Sequence, residues 1–180
     1  MSNLKLSSDS DQRARTFLEQ NPAVFRSLQQ DFGSNLSQVA TIIGPILDAA
    51  DRCELSVYYI QAVTTGRTAF LTTNLPDVRS AHVTEVATSW LIGRGQTCAI
   101  PVTDASISRC HAVIGHCPSR GFYIMDVGSS NGTFVNRRRL ATLEQRFLHD
   151  GDLVELSNTK IEFFISGWQE EVKPQETQVY

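Results

Sequence analysis

Phe122-Tyr123-Ile124-Met125-Asp126-Val127-Gly128-Ser129-Ser130-Asn131-Gly132-Thr133-Phe134-Val135 sets two short apolar runs on either side of a small, polar turn. Such runs are too short for helices, and their aromatic and β-branched residues suit a pleated, half-buried surface. The same texture extends both ways from this stretch. Upstream lie Ala69-Phe70-Leu71, His82 to Val86, Trp90-Leu91-Ile92 and His111 to Ile114; downstream lie Leu153 to Leu156 and Ile161 to Ile165. Turn residues divide them at Asn74-Leu75-Pro76-Asp77, Gly93-Arg94-Gly95, Pro118-Ser119-Arg120-Gly121 and Asp150-Gly151-Asp152. Many short strands at close spacing predict a mainly β fold, an antiparallel β-sandwich over residues 66–168.

Before Thr64-Thr65-Gly66 the texture is helical, so residues 1–65 are expected to form an α-helical N-terminal segment. Asp9, Ser10 and Asp11 offer N-caps to a first helix carrying Phe17 and Leu18. Asn21-Pro22 is a cap followed by proline at the first helical position, where its missing N–H costs nothing. Val24, Phe25, Leu28 and Phe32 give that second helix an apolar face, and Gly33 can close it. Ser34 or Asn35 can open a third, whose stripe is Leu36, Val39, Ile43, Ile46 and Leu47, with a kink or break at Gly44-Pro45. Val57-Tyr58-Tyr59-Ile60 fits a helix or a strand, and a buried helix is the expectation. Residues 169–180 are polar and are expected to be a flexible tail.

The chain has 180 residues, 41% of them hydrophobic and 19% charged, which is globular rather than disordered composition. From Gly66 to Ile165 ten Lys/Arg face nine Asp/Glu, so an anion site there must be local. Val39 to Ala50, the most apolar stretch, is interrupted by Gly44-Pro45 and Asp48 and is well short of a membrane span. Cys53, Cys98, Cys110 and Cys117 are widely spaced and no secretory pattern opens the chain, so reduced thiols and a cytoplasmic setting are expected.

Gly93-Arg94, then Ser108-Arg109-Cys110-His111, then Asn131-Gly132 fall in order in turns of the β part. In identity, order and spacing they resemble the signature of forkhead-associated (FHA) domains, over roughly Gly66 to Ile165. The resemblance implies a module that binds phosphothreonine in partner proteins and performs no chemistry on it, with no cofactor. A phosphate dianion offers three acceptor oxygens and needs donors. Arg94 supplies a guanidinium fork suited to phosphate, and Ser108 a hydroxyl. Arg109 can donate through its backbone or side chain, and Ser130 occupies the family's small hydroxyl position. By resemblance, Asn131 binds the peptide backbone, His111 braces the serine loop, and Gly93 and Gly132 belong to the loop architecture. Arg137 and Arg138, in the run Arg137-Arg138-Arg139, are expected to favour acidic residues C-terminal to the phosphothreonine.

Blander readings stand beside these. Ser108 and His111 make no triad without an orienting acid, so an enzyme is not expected. Cys110-His111 and His116-Cys117 invite a zinc site, but neighbours on a strand point to opposite faces, so no metal is expected. Cys98 and Cys110 are expected to be buried fillers. The arginine run is the weaker alternative as a nucleic-acid patch and commonly only a solvated turn. The stripe from Leu36 to Leu47 is expected to be core, with self-association as its functional alternative. A phosphate-independent assembly module is the rival function, and Thr16 or Thr177, if phosphorylated, is a possible internal ligand.

Overall fold

Along Tyr59–Thr64 the side chains alternate between environments: Ile60 and Ala62 join one apolar cluster, while Tyr59 and Val63 join two others. That period of two is a strand's, so β1 (Tyr59–Thr64) replaces the expected helix over Tyr59 and Ile60 and moves the β part forward of residue 65. The run looked like a buried helix because both faces of the strand are covered and few polar residues mark an outside. This computed structural model describes residues 3–33, 36–75 and 81–167. The expected tail with Thr177, the Ser34/Asn35 cap and Pro76-Asp77 lie outside the described residues.

Eleven further strands follow among the described residues: β2 (Ala69–Thr73), β3 (His82–Val83), β4 (Ser89–Gly93), β5 (Ile100–Pro101), β6 (Ala112–Cys117) and β7 (Gly121–Asp126). Then come β8 (Thr133–Val135), β9 (Arg138–Arg139), β10 (Gln145–Phe147), β11 (Asp152–Leu156) and β12 (Thr159–Gly167). A seven-stranded sheet runs β3-β2-β1-β12-β11-β8-β9 and a five-stranded sheet runs β10-β7-β6-β4-β5. Pairing is antiparallel except for β1 with β12 and β4 with β5, which are parallel. The expected sandwich is therefore present, with mixed sheets. Its core brings Trp90, Ile92, Ile114 and Phe122 of one sheet against Ile60, Leu71, Val154 and Phe163 of the other. The Phe122 ring meets Phe163 edge-on at 6.2 Å between centroids. Burying side chains of this size contributes about 1.5–3 kcal/mol each.

Three helices cover the outer face of the larger sheet: α1 (Asn3–Gln20), α2 (Pro22–Phe32) and α3 (Leu36–Leu47). Phe17, Val24, Leu28, Val39, Ile42, Ile43 and Ile46 pack together and onto Val63 and Phe70 of β1 and β2. Asp9, Ser10 and Asp11 lie inside α1 rather than capping it. The Asn21 side chain makes no N-cap bond; its Nδ2 donates backwards to the Phe17 carbonyl at 2.8 Å, closing α1. Pro22 does open α2, and Gly33 closes it with φ +61°. Phe25 is 39% exposed rather than core. α3 continues through Pro45 without breaking.

Two polar ties fasten flanking segments to the larger sheet. Asp31 Oδ2 of α2 accepts from the hydroxyls of both Thr65 and Thr68 in the β1–β2 turn. Glu162, buried on β12, accepts three backbone N–H groups at one oxygen, from Glu54, Leu55 and Ser56 at 2.8, 2.6 and 2.8 Å. It thereby fixes the segment leading into β1, whose donors would otherwise lack a partner.

Candidate functional site

Gly93 ends β4 against the backbone of another loop. A side chain there has no room, because a Cβ would lie 2.8 Å from the Ser108 carbonyl oxygen and closer still to that of Arg109. The bare α-carbon lets two backbone bonds lace the loops together: Arg94 N–H to Ser108 O at 2.9 Å and Gly95 N–H to Arg109 O at 3.0 Å. Arg94 is thus delivered to the Ser108 loop by the residue before it. Its Nε donates to Ile107 O at 3.2 Å, and the side chain is exposed. Among the described residues no carboxylate pairs with it.

The loop between β5 and β6 is fixed at several points. Asp104 receives the Ser106 N–H and hydroxyl at 2.8 Å each and the Thr159 hydroxyl at 2.9 Å. Those bonds, Ser106 N–H foremost, hold the Asp104 carboxyl below the usual carboxylate range. Ile107 is buried in the sandwich core. Ser108 N–H donates to His111 Nδ1 at 3.1 Å, and the buried His111 ring reaches Gly132 O with Nε2 at 3.1 Å. A ring whose Nδ1 accepts carries its proton on Nε2, so the bracing histidine is neutral and links two loops.

The third loop follows β7. Asp126, buried, accepts Gly128 N–H at 2.8 Å and Ser129 N–H at 2.9 Å on one oxygen. Its other oxygen takes the hydroxyls of Ser129 and Thr133 at 2.5 and 2.7 Å. Burial alone raises such a carboxyl, yet these four bonds outweigh it and hold Asp126 below the usual range. Ser130 N–H then donates to Ser108 Oγ at 3.0 Å, and Asn131 Nδ2 donates to Ser106 O at 2.8 Å. Gly132, at φ +92°, turns the chain where a side chain would strike the Arg139 guanidinium.

Arg94, Ser108, Ser130 and Asn131 therefore sit on loops bonded to one another at one rim. Ser108 Oγ accepts from Ser130 N–H and turns its own proton towards Ser130 Oγ across a long 3.5 Å contact, which a stronger acceptor can displace. Arg109 is exposed, and among the described residues neither its N–H nor its guanidinium has an acceptor. The arginine run is no plain turn. Asn136 and Arg137, with φ +50° and +69°, make a two-residue hairpin between β8 and β9. Arg138 is bound by Glu144 at 2.7 Å, while Arg139 lies over Phe134 at 5.8 Å and behind Gly132. Cys98 is buried as expected; Cys110 is exposed and is no filler, because its neighbour His111 takes the inward position. Among the described residues no group of three or more His, Cys, Asp or Glu could hold a metal ion.

Sequence reasoning named the residues at the rim and overlooked those beneath it, Asp104, Ser106, Asp126, Ser129 and Thr133. The signal was local: an Asp two residues before Gly128 and three before Ser129 is the pattern of a side chain capping its own turn.

The sequence model of the FHA domain matches residues 90–157. Human kanadaptin is 33% identical over 91 residues, covering 45% of this chain and 12% of its own length. The mouse E3 ubiquitin-protein ligase RNF8 is 37% identical over 76 residues, covering 40% of this chain and 16% of its own. The chain thus spans only a small part of either curated relative. Among solved structures, the second FHA domain of a Mycobacterium tuberculosis ABC transporter is 37% identical, with TM-score 0.37 over 42% of this chain and 67% of that one. The N-terminal FHA domain of S. cerevisiae Rad53p, solved with a phosphothreonine peptide, is 24% identical, with TM-score 0.35 over 37% of this chain and 53% of that one. With all three motifs inside the matched span and gathered at one rim of a two-sheet sandwich, the C-terminal part of this chain is a forkhead-associated domain.

Proposed function

We propose that this protein is an adapter that captures partner proteins phosphorylated on threonine by a Ser/Thr kinase, through Arg94, Ser108, Arg109, Ser130 and Asn131. The observation that carries this is the pairing of an exposed, unneutralised Arg94 with a Ser108 hydroxyl whose proton is held only by a long 3.5 Å contact to Ser130 Oγ, on loops that are bonded together. A dianion entering there meets donors already held in place, which limits the ordering cost of binding. Binding without chemistry is favoured by His111, since its Nδ1 faces the Ser108 N–H rather than the hydroxyl and cannot serve as that serine's base. Beyond the phosphate, Arg137 and Arg138 would favour acidic residues C-terminal to the phosphothreonine, with Glu144 competing for Arg138.

The test is calorimetric titration with matched phosphothreonine, phosphoserine and unmodified peptides drawn from an oriented library. Wild type is expected to bind the phosphothreonine form selectively. Arg94→Ala removes charge-assisted bonds worth about 1.5–3 kcal/mol and is expected to weaken it roughly 10–150-fold. Equal binding of all three peptides, or of wild type and variant, would sink the proposal and leave a phosphate-independent assembly module.

A further inference from the structure

Two thiols belong to the loops that build the rim. Cys98 Sγ is buried and donates to the Arg109 carbonyl oxygen at 3.2 Å, and Arg109 is bonded to Cys110, whose side chain is exposed. The Cys98 turn is itself tied to the Arg94 loop, through Cys98 N–H to Gly95 O at 3.1 Å and Gly95 N–H to Arg109 O at 3.0 Å. The carbonyl oxygen that Cys98 touches is about 2.8 Å from the next α-carbon by the fixed geometry of a trans peptide, so the buried sulfur stands within about 6 Å of the Cys110 backbone. Burial first, and the nearby Cys110 second, push the Cys98 thiol up, in keeping with a buried sulfur that has a thiol for a neighbour. The remaining thiols, Cys53 and Cys117, lie elsewhere: Cys53 against Ala49 and Cys117 beside Ser119.

We propose that Cys98 and Cys110 are a peroxide-sensitive pair whose disulfide cross-links the Arg94 and Ser108 loops and switches phosphopeptide capture off. The exposed Cys110 thiolate attacks a peroxide oxygen, the O–O bond breaks, water leaves after protonation, and Cys110 becomes a sulfenic acid. Cys98 sulfur then attacks the Cys110 sulfur, the S–O bond breaks, and a second water leaves. Two thiols lose two electrons and two protons, and hydrogen peroxide is reduced to two waters. Cross-linking removes the Cys98 bond to Arg109 O and turns Cys110 inward. Because Cys110 lies between Arg109 and His111, the turn pulls on the His111 ring that braces Ser108 N–H and on the Arg109 carbonyl that laces this loop to Gly95.

The switching half rests on the phosphothreonine proposal; the covalent half does not. The experiment uses the full chain with Cys53→Ser and Cys117→Ser, titrated with hydrogen peroxide and read by non-reducing peptide mass spectrometry beside phosphothreonine-peptide affinity. The expected result is a Cys98–Cys110 linked peptide, abolished by Cys98→Ser or by Cys110→Ser, with affinity lowered by about tenfold, the loss of one hydrogen bond to a charged group, and restored by dithiothreitol. No linked peptide, or a linked protein that binds with unchanged affinity, would overturn the proposal. A reduced protein that binds no phosphopeptide would instead sink the adapter function, while the linked mass still decides the thiol pair.

Discussion

At His111 the partners dictate the proton: Nδ1 accepts from Ser108 N–H, so Nε2 donates to the Gly132 carbonyl. Burial pushes this imidazole below its ordinary 6.5, against the Gly132 carbonyl and Asp126, which both pull upward. His116, buried against the Phe122 ring at 4.7 Å, is lowered by burial as well. A folded value beneath the unfolded one means the folded state binds fewer protons. The stabilisation is then complete above the unfolded 6.5 and is lost as pH falls from there through the lower folded value. Thermal unfolding without peptide, followed from about pH 8 to about pH 5, is expected to be flat at first and to decline below the histidine range. A midpoint that stays level throughout would contradict the neutral brace. Asp126, lowered by its four bonds, adds a second loss only below the ordinary carboxylate value of 3.8.

Between elements, the close approach at Gly93 carries the site. Gly93→Ala forces a methyl into the Ser108 and Arg109 backbone, which cannot give way as a flexible side chain would. The expected cost is about 1–3 kcal/mol of stability, with loss of phosphopeptide binding as the lacing bonds part; denaturant unfolding and peptide titration check both. An unchanged affinity would mean that the Arg94 loop needs no contact with Ser108. Most strands of the sandwich were legible in the sequence because apolar runs and turn residues are local features. β1 was not, since covered faces erase the alternation that identifies a strand. β5 and β9, two residues each, exist only through their pairing partners Ile92-Gly93 and Phe134-Val135. At the rim the named residues could be read because they carry donors on turns. Asp126 and Glu162 were passed over because their work is to satisfy backbone N–H groups, which leave no mark on composition.

For the molecule as a whole, the helices act as a third layer on the face of the larger sheet that the smaller sheet does not cover. Leu28 is fully buried there with Ile43, over Val63 and Phe70. Leu28→Ala is expected to cost about 2–5 kcal/mol while leaving peptide affinity within about twofold, because that layer packs on strands β1 and β2 rather than on the rim. Urea unfolding and titration of the same variant separate the two; a parallel collapse of affinity would show that the helices shape the site. The central claim is that one rim grips the phosphate. Its most direct measurement is amide and side-chain NMR shift mapping of the full chain with a phosphothreonine peptide against its unmodified twin. Phosphate-dependent shifts confined to Arg94, Ser108, Arg109, Ser130 and Asn131 are the expected result. Shifts centred on another face, or identical for the two peptides, would contradict it.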